Sequence, residues 1–160
     1  GVTLANLNCP GQIVISGDSK KILQACELAK AAGARRALPL TVAGAYHSPL
    51  MASAQPKVAA SLQGVRISAP SVPVIANVNA LPHEGPESIR VRMADQVTSP
   101  VLWEKSIRWL LAQGFTRFIE LGPGTALTGF MKRIDKTAET LNVGDLSSLE
   151  QTVNRLTTGA

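Results

Sequence analysis

From Val2 to Leu7 the chain alternates apolar and polar side chains with a period of two, which is how a half-buried strand reads. Asn8-Cys9-Pro10-Gly11 interrupts the alternation as a turn, and Gln12 to Ser16 resumes it, so a hairpin is expected. Gly17 and Asp18 then change the texture. Asp18 or Ser19 can cap a helix whose apolar positions Ile22, Cys26 and Ala29 recur at helical spacing, and Gly33 suits the left-handed position just past its end. Arg36 to Val42 returns to strand. A first strand that begins at the first residue is expected to be short of neighbours and to have been cut from something larger.

Beyond residue 43 helices and strands alternate. Pro49 to Leu62 reads as one helix with the stripe Leu50, Ala54, Val58 and Leu62. Val72 to Asn77 is a short strand, and a helix starts near Pro86 with Ile89, Met93 and Val97 on one face. Ser99-Pro100 reads as a cap followed by proline at the first helical position, with Trp103, Ile107, Leu110 and Leu111 lining that helix and Gly114 ending it. Thr116 to Leu121 is a buried strand. Gly122-Pro123-Gly124 turns into a helix with Leu127, Met131 and Ile134 on one face. Thr140 to Val143 is a last strand, and Asp145 caps a last helix with Leu149, Val153 and Leu156 turned inward. Alternating strands and helices predict a parallel sheet and an α/β class. Residues 1–43 read strand–strand–helix–strand, most of a ferredoxin-like subdomain, and residues 44–160 form the α/β part.

Composition narrows the function classes. The 160 residues are 45% hydrophobic and 17% charged, enough for a real core and unlike a disordered chain. No apolar run nears the length of a membrane span, no basic-then-apolar leader opens the sequence, and two cysteines cannot build a disulfide framework, so the cytoplasm is the expected compartment. Cys9 and Cys26 lack metal-ligand spacing, and no metal site is expected. The net charge of +5 is scattered over pairs such as Lys20-Lys21, Arg35-Arg36, Arg90 with Arg92, and Lys132-Arg133. With aromatics at 4% and none interleaved with these pairs, a single-strand nucleic-acid platform is excluded, and an acidic protein or a phosphate-bearing small molecule fits better.

Two histidines stand out. His83 lies in Leu-Pro-His-Glu-Gly-Pro, a loop by composition. His47, in Gly-Ala-Tyr-His-Ser-Pro, sits between a strand and a helix, where a side chain can project into a cleft from a rigid frame. No Gly-x-Ser-x-Gly nucleophile elbow occurs. Gly122-Pro123-Gly124 could hold an anion at a helix start, but it lacks the lysine and length of a phosphate loop and reads first as a tight turn.

Three segments, in order, resemble malonyl-CoA:acyl carrier protein transacylases: Asn8-Cys9-Pro10-Gly11-Gln12-Ile13-Val14-Ile15-Ser16-Gly17, Ala45-Tyr46-His47-Ser48-Pro49-Leu50-Met51, and Asp95-Gln96-Val97 with Ser99-Pro100-Val101-Leu102-Trp103. Glu120 to Gly124 and Lys132-Arg133-Ile134 match the C-terminal region of the same family, so the resemblance covers the whole chain as that family's C-terminal half. It implies an α/β-hydrolase-like core with an inserted ferredoxin-like subdomain. It also implies transfer of a malonyl group from coenzyme A to the phosphopantetheine thiol of acyl carrier protein through an acyl-serine, in fatty acid biosynthesis.

On that resemblance His47 is the catalytic base, and the main-chain carbonyl of Gln96 replaces the acid of a hydrolase triad. Tyr46 and Asn8 contact substrate. Lys132 and Arg133 are expected to dock the acidic carrier protein. No cofactor is implied beyond the substrate and the partner's phosphopantetheine. The nucleophilic serine and the arginine for the malonyl carboxylate are not in these residues, so the chain is expected to be inactive without an N-terminal half. Acyltransferase domains of polyketide synthases share the pattern. The contrasting reading is a non-enzymatic ferredoxin-like module that binds a partner.

Overall fold

The computed structural model describes residues 1–158 and is a mixed α/β structure that separates into two compact units. The first comprises residues 1–8 and 12–106, the second residues 9–11 and 107–158.

In the first unit, β1 (Val2–Cys9) and β2 (Gln12–Gly17) pair as the alternation predicts. Ala5 is the buried residue at the centre of β1. Residues 5–7 of β1 also bond on to Val101: its N–H donates to the Ala5 carbonyl at 2.8 Å, and the Leu7 N–H donates to its carbonyl at 2.9 Å. The bridge is parallel. The first strand is therefore not short of neighbours there, contrary to expectation. Asp18 caps α1 (Ser19–Ala31), its carboxylate accepting from the N–H groups of Lys20 and Lys21, and Gly33 closes the helix in the left-handed region at φ +91°.

No strand forms over Arg36 to Val42, so the β-β-α-β reading is corrected to β-β-α among the described residues. Pro39 can give no N–H to a ladder, and Leu38, Leu40 and Val42 stand about 60% exposed (60%, 62% and 61%) with no strand beside them.

The helix expected from Pro49 to Leu62 is two pieces: a 3₁₀ turn at Pro49–Met51, then α2 (Gln55–Gln63). Pro56 explains the break. Its ring would strike the carbonyl one turn back and it has no N–H to donate, so a helix can start there but not run through. Leu50 is consequently exposed, while Leu62 stays buried. Pro73 likewise trims the strand expected at Val72–Asn77 to β3 (Ile75–Ala76), which pairs antiparallel with β4 (Leu81–Pro82).

α3 (Pro86–Asp95) packs on α2. Arg90 secures the pair by donating to the carbonyls of Leu62, in the last turn of α2, and Val65, just past its end. Ser99-Pro100 caps nothing: Val101 is drawn into the bridge with β1, and α4 (Trp103–Ala112) starts three residues past Pro100.

In the second unit, β5 (Arg117–Leu121) and β6 (Glu139–Val143) pair in parallel, as the alternation of elements predicts. α5 (Ala126–Ile134) buries Met131 and Ile134 against this ribbon. α6 (Leu146–Thr158) is capped by Asp145, whose carboxylate accepts from the Ser148 N–H and hydroxyl. It turns Thr152 inward, the hydroxyl donating to the Asn142 carbonyl at 3.1 Å. Leu149 and Val153 are 43% and 47% exposed, so the apolar face assigned to this helix is corrected, with only Leu156 of the three half-buried.

Among the described residues no helix is long and apolar enough to cross a membrane, and no cluster of three potential metal ligands occurs.

Four carboxyls of the second unit titrate below their ordinary range. Hydrogen bonds from Arg117 and Arg155 lower Glu139, those from Thr137 lower Asp135, and those from Ser148 lower Asp145. At Glu120 burial acts upward and is outweighed by the N–H groups of Thr128 and Leu127. A depressed carboxyl adds stability that is present above its unfolded value, about 4, and is lost as pH falls through the lower folded value. The thermal midpoint is therefore expected to stay flat above pH about 5.5 and to fall steadily below about 4. A calorimetric series across that range checks this, and a midpoint constant down to pH about 2.5 would refute it.

Candidate functional site

The loop around His47 is built by one hydroxyl. Ser48 is 1% exposed; its Oγ donates to the Ala45 carbonyl at 2.6 Å and accepts from the Leu50 N–H at 3.3 Å. It is the true serine–proline cap in this chain, since Pro49 follows it at the first position of the 3₁₀ turn. The same rule applied to Ser99-Pro100 misleads, and applied here it would have found Ser48.

With residues 45 and 50 fixed to the serine between them, His47 is held at φ +57°, a left-handed conformation uncommon for a residue with a Cβ. Strain of this kind persists where surroundings impose it and clusters at functional positions.

The imidazole meets the end of α3. His47 Nδ1 lies 2.9 Å from the main-chain oxygen of Gln96. A carbonyl can only accept, so the contact requires the proton on Nδ1 and leaves Nε2 with a lone pair directed away from the bond. The Gln96 carboxamide nitrogen also lies near Nδ1, at 3.4 Å, but it donates at 2.8 Å to Ser99 O and at 3.3 Å to Pro100 O. Two donors cannot bond each other, so the amide belongs to those carbonyls and the imidazole to the main chain.

Gln96 is the C-cap of α3, where the last carbonyls of a helix have no partner within it. That is why an oxygen is free to take the imidazole. Such an arrangement can accept a proton at Nε2 and return it, with the ring and tautomer fixed from behind.

The structure thus brings together His47 and Gln96, which are 49 residues apart. Tyr46 is 48% exposed beside them in sequence, its ring near Gly44, where an added Cβ would lie 3.7 Å from it. Asn8 is half-buried at the end of β1. Lys132 and Arg133 are in the second unit and both exposed, but Arg133 donates to the Pro10 carbonyl at 2.5 Å, so only its remaining donors face outward.

His83 is less solvated than its loop composition suggests. Its Nδ1 is buried, and burial followed by the Arg92 charge holds it below the usual imidazole range. Cys9 is 2% exposed, which excludes it as an accessible nucleophile in this structure.

After the turn Gly122-Pro123-Gly124, two of the helix N–H groups that could meet an anion are already taken. The Glu120 carboxylate, reaching forward from β5, accepts from the N–H groups of Leu127 and Thr128 at 3.0 and 2.8 Å. Gly122 and Gly124 adopt φ +132° and +92°, which explains glycine on both sides of the proline.

Residues 1–150 match the family model described as acyl transferase domain. The chain is 45% identical over 155 residues to the malonyl CoA-acyl carrier protein transacylase of Bacillus subtilis (strain 168), covering 97% of this chain and 49% of that protein. It is 42% identical over 143 residues to the enzyme of the same name from Escherichia coli (strain K12), covering 88% of this chain and 46% of the other. In a solved complex of a type II PKS acyl-carrier protein with its malonyl-transacylase, one chain superposes with a TM-score of 0.94 at 37% identity, covering 97% of this chain and 50% of that one. The chain spans about half the length of the curated relatives it matches.

Ser48→Ala removes a buried hydroxyl that satisfies one acceptor and one donor. It is expected to cost about 1–3 kcal/mol and to release the His47 backbone. Urea unfolding checks the first effect, and a crystal structure with His47 still at positive φ would refute the second.

Proposed function

Because this chain belongs to the acyl transferase domain family, we propose that the protein containing it moves a malonyl group from coenzyme A to the phosphopantetheine thiol of acyl carrier protein. The observation that carries the reading is the 2.9 Å bond from His47 Nδ1 to the Gln96 carbonyl, which leaves Nε2 ready to take a proton. No Gly-x-Ser-x-Gly elbow occurs in these 160 residues, and the relatives are about twice as long, so the serine nucleophile and the arginine for the malonyl carboxylate are assigned to residues outside them.

In the first half-reaction the serine hydroxyl attacks the thioester carbonyl while His47 Nε2 removes its proton. The C–S bond breaks, the acyl-serine remains, and the imidazolium returns the proton to the coenzyme A sulfur. In the second, His47 takes the proton of the carrier's thiol as that sulfur attacks the acyl-serine, and returns it to the serine oxygen. Each cycle leaves the enzyme unchanged. The Gln96 carbonyl keeps Nδ1 protonated throughout, doing the orienting work of a triad carboxylate with less charge stabilisation of the imidazolium.

Tyr46 forms a wall of the acyl pocket that leaves little room for an α-methyl, and Asn8 contributes a polar group to substrate. Lys132, with Arg133, meets the acidic carrier protein. The hairpin and α1 belong to a ferredoxin-like subdomain over residues 1–43, and residues 44–160 belong to an α/β-hydrolase-like core. The parallel β5–β6 pair supports the second assignment. The names of the curated relatives favour the stand-alone enzyme of fatty acid synthesis over a polyketide-synthase domain, and a cytoplasmic enzyme follows from that.

In the full-length protein His47→Ala is expected to lower malonyl transfer by about 10³-fold with the thermal midpoint little changed. Burst measurement of acyl-enzyme formation tests it, and retention of more than about a tenth of the rate would refute the assignment. Lys132→Glu is expected to slow transfer to carrier protein, increasingly so at low salt, while sparing acylation by malonyl-CoA. Equal loss in both half-reactions would remove Lys132 from the docking surface.

A further inference from the structure

The His47–Gln96 bond joins two segments that no single element holds in register. His47 precedes the 3₁₀ turn that leads into α2; Gln96 terminates α3. Their separation is set by whatever fixes the start of α2 against the end of α3, and one side chain does this. Gln55, the first residue of α2, donates from Nε2 to the Asp95 carboxylate at 3.0 Å. Its Oε1 accepts from the Thr98 hydroxyl at 3.4 Å. All three are half-buried, and they flank Gln96 on both sides. On the far side the Gln96 carboxamide ties the same turn to the carbonyls of Ser99 and Pro100.

The chemistry of the bridge is directional. Asp95 offers only acceptors and needs a donor; the Thr98 hydroxyl, which also lies 3.4 Å from the Asp95 carbonyl, finds a second acceptor in Gln55. A carboxamide supplies one donor and one acceptor from a single flat group. A carboxylate in its place would face Asp95 as a like charge, and an alkyl group would leave both partners unpaired.

The geometry points to Gln55 as a positioning residue for the proton transfer at His47. It acts through Asp95 and Thr98 on the carbonyl of Gln96 and touches neither substrate nor the imidazole. This rests on the assignment of His47 as the base. Loss of the bridge lets the α3 end drift from the imidazole, so Nδ1 loses its fixed acceptor and Nε2 spends part of its time protonated, when it cannot accept the serine proton. The defect falls on the rate of acylation and not on the affinity for malonyl-CoA.

The experiment uses the full-length enzyme with malonyl-CoA and four forms: wild type, Gln55→Leu, Gln55→Glu, and the exchange Gln55→Glu with Asp95→Asn. The exchange keeps both bonds of the bridge and reverses one of them, since a carboxylate at 55 accepts from the amide at 95 and still accepts from Thr98. Acylation kcat is expected to fall about 5–20-fold in Gln55→Leu and further in Gln55→Glu, with KM within about twofold, and to recover to within about threefold in the exchange. Side-chain ¹⁵N spectra of His47 are expected to show one tautomer in wild type and the exchange, and a mixture in the single variants.

Unchanged kcat in Gln55→Leu overturns the inference, as does a loss that the folded exchange variant fails to restore, or one confined to KM. His47→Ala, run alongside, separates the two levels. If it retains activity the functional reading itself fails; if it is inactive while Gln55→Leu is fully active, only the role of Gln55 fails.

Discussion

An imidazole N–H bonded to a main-chain carbonyl has one polarity. The oxygen cannot give a proton, so the ring must, and the opposite nitrogen is thereby defined as the acceptor. Three features of the first unit converge on that contact. The Ser48 hydroxyl holds the histidine in a backbone conformation it would not choose, the end of α3 exposes an oxygen that no helical N–H uses, and the Gln55 carboxamide fixes the two against each other. A carbonyl in this role differs from a carboxylate in one respect that matters for chemistry. It carries no formal charge, so it orients the ring without strongly favouring the imidazolium, and the acceptor cannot itself be lost by protonation at low pH.

The contact is also vulnerable in a way a local hydrogen bond is not. His47 and Gln96 lie on segments that meet through the packing of α2 on α3, secured at the other end by the Arg90 guanidinium on the carbonyls of Leu62 and Val65. Main-chain carbonyls cannot be removed by substitution, so variation at this site has to act on what aims them: the helix end, its neighbouring turn, and the side chains that bridge to it.

Much of the local structure was legible because its causes are local. The alternation in Val2–Leu7, the Asp18 cap, the glycine after α1 and the glycine-flanked turn before α5 all sit where the sequence places them. The misses have physical reasons. Pro56 and Pro73 lie inside the apolar patterns of a helix and a strand, and a pattern of side chains does not register the N–H that each proline lacks. Arg36–Val42 alternates apolar side chains at Leu38, Leu40 and Val42, but Pro39 has no N–H for a ladder and no strand lies beside it, and periodicity reports neither. Thr152 facing inward, where Leu149 and Val153 were expected, reflects its bond to the Asn142 carbonyl. His47 was visible as a candidate from its place before a helix and acquired a role from the family resemblance. The Gln55–Asp95 bridge spans 40 residues, and no pattern within either segment announces it.

In the second unit, Glu120 has a consequence for how the structure opens. The first turn of α5 is not closed by a residue of its own: Thr125, at the cap position, makes no side-chain bond to it, and the carboxylate of a β5 residue does so instead. The helix start cannot fray without releasing its hold on the ribbon, and the ribbon cannot slip by one residue without pulling the carboxylate away. Opening the first turn of α5 thus costs the ribbon a contact as well, which couples the local unfolding of helix and strand in one block.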